Sequence, residues 1–184
     1  MNKKYYSWQD VEGQCLDLAR QINKSGFVPD YIVGLTRGGL VPAVLLSQYL
    51  GVRMETLKVS LRDDGQCESN LWMAEDAFGY VPTESRGEAG TVVDPFFRKN
   101  ILIVDDINDS GATIKWIQDD WRSSCMPSNS VWDHVWGKNV RIAVLTNNSA
   151  SVASVDYFAD EVNKLEKDVW LVYPWEQFWY NNAN

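Results

Sequence analysis

Apolar positions along the chain repeat with two different periods. Trp8, Val11, Cys15, Leu18, Ala19 and Ile22 recur every three or four residues, which is the spacing of one buried helical face. Ser7 stands before the first of them as an N-cap, and Asp10 three residues later makes an imperfect capping box, Asp being shorter than the usual Glu. Short apolar runs then predict strands over 31–35 and 101–104; unbroken rather than alternating, they suit strands buried on both faces. Further strands are predicted over 54–60 and 140–145, with shorter ones near 155–158 and 169–172. A helix is expected over 41–50, with Pro42 in its first turn and Gly51 as its C-terminal cap. Helical spacing returns at Ile114, Ile117 and Trp121. Alternating strands and helices predict an α/β fold, a Rossmann-like parallel sheet flanked by helices.

The stretch 61–97 breaks this regularity. RDDGQCESN and TESRGEAGT are polar and contain glycine, and a connection of that length inside one domain is usually a functional lid or an insertion. A lid or an inserted loop is therefore expected at about 61–97. Within it, LWMAEDAF (71–78) reads as a helical turn that packs either over the site or against a partner subunit.

Length and composition narrow the class. A chain of 184 residues with 45% hydrophobic and 12% aromatic content can bury one full core, so a single domain over 1–184 is expected. The net charge of −8 argues against a general nucleic-acid or anionic-membrane surface. Cys15, Cys67 and Cys125 show no CxxC spacing, which suggests neither a disulfide framework nor a zinc site and fits a reducing cytoplasm. No apolar run approaches the roughly 18 residues of a membrane span, and the polar start MNKKYYSWQD lacks a signal-peptide core. His134 is the one histidine and cannot build a His-based metal site; it reads as a surface or packing residue. Trp116, Trp121, Trp132 and Trp136 read as core or oligomer contacts.

The chemistry concentrates in ILIVDDINDSGAT (101–113), where a buried run delivers adjacent carboxylates into a small-residue turn and then a helix. The first N–H groups of such a helix are unpaired and carry the positive end of its dipole, and glycine lets backbone approach an anion closely. A phosphate fits there. Ser110 and Thr113 add hydroxyl donors, while Asp105 and Asp106 can accept from vicinal hydroxyls or help hold Mg²⁺. The segment thus offers both halves of a ribose-phosphate site. A calcium loop begun at Asp106 would need its closing Glu where Ile117 stands, and a strand rather than a helix precedes it. The Thr36, Arg37, Gly38, Gly39 turn lacks both the GK[ST] of a Walker A loop and a GxGxxG fingerprint. Beyond the carboxyl end of a parallel strand it becomes a candidate cradle for a second anion.

These blocks carry a family resemblance. ILIVDDINDSGAT resembles the phosphoribosyl pyrophosphate signature of the type I phosphoribosyltransferases, YIVGLTRGGL (31–40) their first core strand and pyrophosphate loop, and DVWLVYPWE (168–176) the purine-binding end of the xanthine-guanine and hypoxanthine enzymes. Block order and spacing are closest to the bacterial xanthine-guanine enzymes and their archaeal relatives. The resemblance implies the type I fold with a small hood from the chain ends and a long mobile loop at about 61–97, and transfer of ribose phosphate to a free, purine base in salvage, with Mg²⁺ as cofactor. It implies that Asp105 and Asp106 hold the ribose hydroxyls directly or through Mg²⁺, and that Asp109, Ser110, Gly111, Ala112 and Thr113 wrap the 5′-phosphate. Thr36, Arg37, Gly38 and Gly39 would face pyrophosphate, with the Thr36–Arg37 peptide cis. Asp109 would lie near N7 of the base as general base, a role open to a carboxylate within hydrogen-bond reach.

Base recognition follows the same resemblance. Trp170 would stack on the purine, with the backbone from Leu171 to Glu176 at its edge, although composition alone reads Trp170 equally well as core. The chain departs from the pattern at Asn147, where the purine-specific relatives carry a Lys that donates to the 6-oxo group. That leaves open another base, or a Lys supplied from elsewhere. A homodimer or homotetramer is the family expectation. Two alternatives remain: a regulator of the same fold that binds phosphoribosyl pyrophosphate without turnover, and an enzyme for a different base.

Overall fold

The computed structural model describes residues 2–61, 66–81 and 92–176. After a short strand β1 (Asn2–Tyr5), helix α1 (Trp8–Ser25) leads to β2 (Tyr31–Thr36), α2 (Leu40–Leu50) and β3 (Met54–Ser60). Then come β4 (Gln66–Cys67), α3 (Leu71–Phe78), β5 (Tyr80–Val81) and β6 (Val92–Val93). The chain closes with β7 (Ile101–Asn108), α4 (Ala112–Ser124), β8 (Val140–Asn148), β9 (Tyr157–Val162) and β10 (Val169–Val172). The central sheet has the order β4-β3-β2-β7-β8-β9; β3, β2, β7, β8 and β9 run parallel, and β4 adds an antiparallel edge. This is the parallel α/β sheet that the apolar runs predict.

Alternation along β2 and β7 builds one core on each face. Tyr31, Val33, Ile101 and Ile103 face α3 and α4, packing with Phe78 and Trp121. Ile32, Leu102 and Val104 face α1 and α2, packing with Leu18 and Leu46. The α1 face is as expected for Val11, Cys15, Leu18, Ala19 and Ile22. Trp8 departs from it: it is half exposed and its ring lies 6.0 Å from that of Trp175. The capping box is complete, because the Asp10 carboxylate reaches the Ser7 N–H at 2.7 Å while the Asp10 N–H donates to Ser7 Oγ. Trp121 and Trp132 are core residues, and His134 is exposed.

Within 61–97, residues 71–78 form a core helix rather than a cover for the site, burying Met73, Ala74, Ala77 and Phe78. Residues 62–65 and 82–91, on which the expectation of a mobile loop chiefly rests, lie outside the described residues. Neither β1 nor the two-residue strands β4, β5 and β6 is predicted by the sequence pattern; every β1 side chain is exposed, so it carries no apolar signal. β1 pairs in parallel with β10, from Asn2 against Val169 to Tyr5 against Val172, and joins the chain ends into a small separate sheet, the expected hood.

Candidate active site

Sheet order fixes where a ligand can enter. The chain steps outward from β2 to β3, then returns to β7 on the other side of β2. The carboxyl ends of β2 and β7 therefore flank the point at which the winding reverses, the usual ligand crevice of an open parallel sheet. Thr36–Gly39 leaves β2 there, and 109–111 leaves β7.

The helices that start at this crevice differ from the other two. α1 and α3 are capped by the side chains of Ser7 and Asn70. α2 and α4 begin on Gly39 and Gly111, which offer no side-chain cap, so both helix starts present backbone donors to the crevice. Each glycine is required by contact. A Cβ on Gly39 would strike the Val104 carbonyl and come within 2.9 Å of Asp105 Cα and Leu35 O, and one on Gly38 would fall on the Asp106 carboxylate. Gly111 has φ 87°, and a Cβ there would meet Ala153 N and Ser151 Oγ at 2.7 Å. The Thr36–Arg37 peptide bond is cis.

Asp105 and Asp106 belong to the end of β7 rather than to a loop, because that strand runs four residues past its apolar run. Both are half-buried. Burial, and next the neighbouring Asp106 charge, push the Asp105 carboxyl well up. Asp106 is pushed up to about 6, by burial first and by the Glu176 charge next. Among the described residues no three acids, histidines or cysteines group to cage a metal. Mg²⁺ does not need such a cage, since it takes one or two carboxylates and completes its shell with water and phosphate oxygens. Asp106 lies against Gly38 of the candidate anion loop, where its charge would repel an anion unless a cation stood between them. Asp105 and Asp106 fit that ion.

The turn after β7 is held from β8 and beyond. Asn148 Nδ2 donates to the Asp109 carbonyl at 2.9 Å, and the Val152 N–H donates to the Ser110 carbonyl at 3.2 Å. The Ala112 N–H donates to Ser110 Oγ at 3.3 Å, and Thr113 lies in the first turn of α4. The Asp109 carboxylate forms an ion pair with Lys164 Nζ at 3.0 Å. Asn147 is placed beside this cluster but is engaged within the sheet. Its Oδ1 accepts from Asn108 Nδ2 at 2.9 Å, and its Nδ2 donates to Glu161 at 3.2 Å.

The hood brings the chain ends to the same crevice. Buried Tyr173 donates its hydroxyl to the Asp106 carbonyl at 3.1 Å, and its phenol oxygen lies 2.9 Å from the Thr146 hydroxyl, which can donate to it. Its ring stacks on Tyr6 at 5.0 Å and on Trp175 at 4.9 Å. Glu176 accepts from the Tyr173 N–H at 3.0 Å. Trp170 is half-buried on β10 and Leu171 is buried in the α1–α2 core. Lys164 and Asn148 carry no local motif, and Tyr173 lies within DVWLVYPWE (168–176), which gives no sign of the contact its hydroxyl makes with β7. Only the end of β8, whose polar NNS follows an apolar strand, hints that side chains there serve a neighbouring loop.

A doubly wound parallel sheet with glycine-started helices and paired acids at its switch point makes a crevice suited to an anionic ligand. The profile of the phosphoribosyl transferase domain matches residues 1–177, and the chain belongs to that family of transferases. It is similar to xanthine phosphoribosyltransferase 1 of Saccharomyces cerevisiae, with 22% identity over 95% of this chain and 90% of the yeast protein. Among solved structures, a purine phosphoribosyltransferase from Pyrococcus horikoshii superimposes with a TM-score of 0.62 at 24% identity, covering 97% of each chain. The xanthine-guanine-hypoxanthine phosphoribosyltransferase of Helicobacter pylori gives a TM-score of 0.63 at 18% identity, over 98% of this chain and 97% of that one.

Proposed function

We propose that this chain transfers the phosphoribosyl group of phosphoribosyl pyrophosphate to a free purine base, giving a nucleoside 5′-monophosphate and pyrophosphate. The observation that carries this reading is the convergence of two glycine-started helices and the Asp105–Asp106 pair on one switch point. Backbone N–H groups of 109–113, with the hydroxyls of Ser110 and Thr113, hold the 5′-phosphate; Thr36, Arg37, Gly38 and Gly39 hold pyrophosphate. Asp105 and Asp106 accept from the ribose hydroxyls and hold Mg²⁺, which when bound neutralises negative charge on the pyrophosphate. N9 of the base forms its bond to C1′ as the C1′–O bond to pyrophosphate breaks, and the N7 proton passes to Asp109. Trp170 stacks on the base, and the backbone from Leu171 to Glu176 meets its edge.

The xanthine and purine enzymes among the similar proteins support a purine as acceptor. No helix among the described residues is long and apolar enough to cross a membrane, and Cys15, Cys67 and Cys125 are all free thiols, which supports a place in a reducing cytoplasm. We assign a homodimer or homotetramer on the family resemblance.

The test is pyrophosphate release from phosphoribosyl pyrophosphate and Mg²⁺ with guanine, xanthine, hypoxanthine, adenine, uracil and orotate. Release with a purine, reduced by roughly 10²–10⁴ in kcat for Asp109→Ala, is the expected result. Tight binding of phosphoribosyl pyrophosphate with no release for any base would make the protein a ligand-binding regulator instead.

A further inference from the structure

Two carboxamides are buried where β7 and β8 end, Asn108 at 2% exposure and Asn148 at 7%. A buried amide destabilises the fold unless its polar atoms are paired, and the reaction as read above uses neither side chain. Asn108 is paired on both atoms. Its Nδ2 donates to the Ala153 carbonyl at 2.8 Å and to Asn147 Oδ1 at 2.9 Å, while its Oδ1 accepts from Ser151 Oγ at 2.9 Å. Ser151 Oγ in turn accepts from the Ala153 N–H at 3.2 Å. The loop 149–156 is thereby fastened to the last residue of β7. Asn148 secures its start, with Oδ1 accepting from the Ala150 N–H at 3.2 Å and the Asn148 carbonyl from the Ser151 N–H at 2.8 Å. Asn148 Oδ1 also accepts from the Lys164 N–H at 3.1 Å.

What this loop grips is the turn 109–111. The Asp109 carbonyl is taken by Asn148 Nδ2 at 2.9 Å and the Ser110 carbonyl by the Val152 N–H at 3.2 Å. The Gly111 carbonyl is engaged within α4 by the Lys115 N–H at 3.0 Å. In a trans peptide the N–H points opposite to the carbonyl. Bonding the first two carbonyls to the β8 side therefore turns the N–H groups of Ser110 and Gly111 the other way. Contact leaves the turn no slack, since even a Cβ on Gly111 would meet Ser151 Oγ and Ala153 N at 2.7 Å. An anion needs this polarity, because N–H groups attract it and a carbonyl turned towards it would repel it. We infer that Asn108 is a positioning residue for the 5′-phosphate: it braces loop 149–156, which keeps the N–H side of 109–111 turned to the ligand. The inference rests on the reading above that 109–113 holds that phosphate.

The experiment titrates wild type, Asn108→Leu and Ser151→Ala calorimetrically with ribose 5-phosphate, with ribose, and with pyrophosphate plus Mg²⁺, and measures kcat and KM for pyrophosphate release beside it. Leucine keeps the branched outline of Asn108 and removes every bond of the brace. Asn108→Leu should bind ribose 5-phosphate roughly 10–100-fold more weakly, and Ser151→Ala, which loses one hydroxyl, roughly 3–10-fold. Pyrophosphate affinity should stay level in both, because Thr36–Gly39 leaves a different strand. In turnover the KM for phosphoribosyl pyrophosphate should rise by a similar factor, with kcat little changed. Equal losses for ribose 5-phosphate and pyrophosphate, or no loss in either variant, overturn the assignment and leave Asn108 a residue of the fold alone. If Asn108→Leu does not fold, Ser151→Ala decides. Wild type that binds ribose 5-phosphate without releasing pyrophosphate for any base refutes turnover, and the binding comparison still decides the role of Asn108. Wild type that binds ribose 5-phosphate no better than ribose refutes the phosphate turn and this inference together.

Discussion

Asp106, which the proposed function assigns to the ribose and Mg²⁺, destabilises the fold that holds it. Its carboxyl, half-buried beside Glu176, is pushed up to about 6, against roughly 3.9 for an unfolded Asp. Below the unfolded value the group is protonated in both states and contributes nothing. Between the two values the folded protein holds a proton that the unfolded chain has lost, so stability falls as pH rises, and above about 6 the whole penalty is present. The ligand-free protein with Asp106→Asn should therefore melt a few degrees above wild type near pH 8. That gap should close as pH falls towards about 4. Thermal melts across this range check it; a gap independent of pH would show that the carboxylate's charge is not what destabilises. The same substitution should weaken phosphoribosyl pyrophosphate binding in the presence of Mg²⁺, since a group kept at this cost serves a ligand rather than the fold.

At the scale of elements, the strands most legible in the sequence are those buried on both faces. Unbroken runs at Tyr31 and Ile101 marked β2 and β7, and the acids and glycines that follow them marked the two turns of the site. β7 and β8 run on through polar residues, Asp105–Asn108 and Thr146–Asn148, because ladder pairing with a neighbour sustains a strand that apolar patterning no longer signals. The clasp of Asn148, Lys164 and Asp109 was not legible beyond Asp109 itself and the polar end of β8, since its members lie far apart in sequence and meet only when β8 and β9 pair. The β2 turn yields a sharp comparison. Gly39→Ala sets a methyl against main-chain atoms at Val104, Asp105 and Leu35 that have no room to yield, and should cost about 1–3 kcal/mol in chemical denaturation. Gly38→Ala meets only the end of the Asp106 side chain, which can swing away. It should leave stability nearly unchanged while raising the KM for phosphoribosyl pyrophosphate; equal losses of stability in both variants would contradict this division of roles.

Over the whole molecule, the crevice end of the fold carries a sheet made from the two chain ends. Among the described residues β1 and β10 pair only with each other; Val169 and Leu171 of β10 are buried in the α1–α2 core, and polar and aromatic contacts add to that link. The Tyr6 hydroxyl donates to Asp160 at 2.7 Å, Lys4 pairs with the same carboxylate, and Tyr173 bonds the Asp106 carbonyl and Thr146 while stacked between Tyr6 and Trp175. Tyr173→Phe keeps the stack but leaves the Asp106 carbonyl without that donor and the Thr146 hydroxyl without that partner, a loss of about 1–3 kcal/mol. If the hood is a separate cooperative unit, the loss should fall on it. Amide exchange in β1 and β10 should then quicken in the variant while β2 and β7 stay protected to the level of global unfolding. Because the severed bond also holds the Asp106 carbonyl, the KM for phosphoribosyl pyrophosphate should rise alongside. Uniform acceleration across both sheets would mean that hood and body open together, and that Tyr173 supports the fold as a whole rather than the closure of its ends over the site.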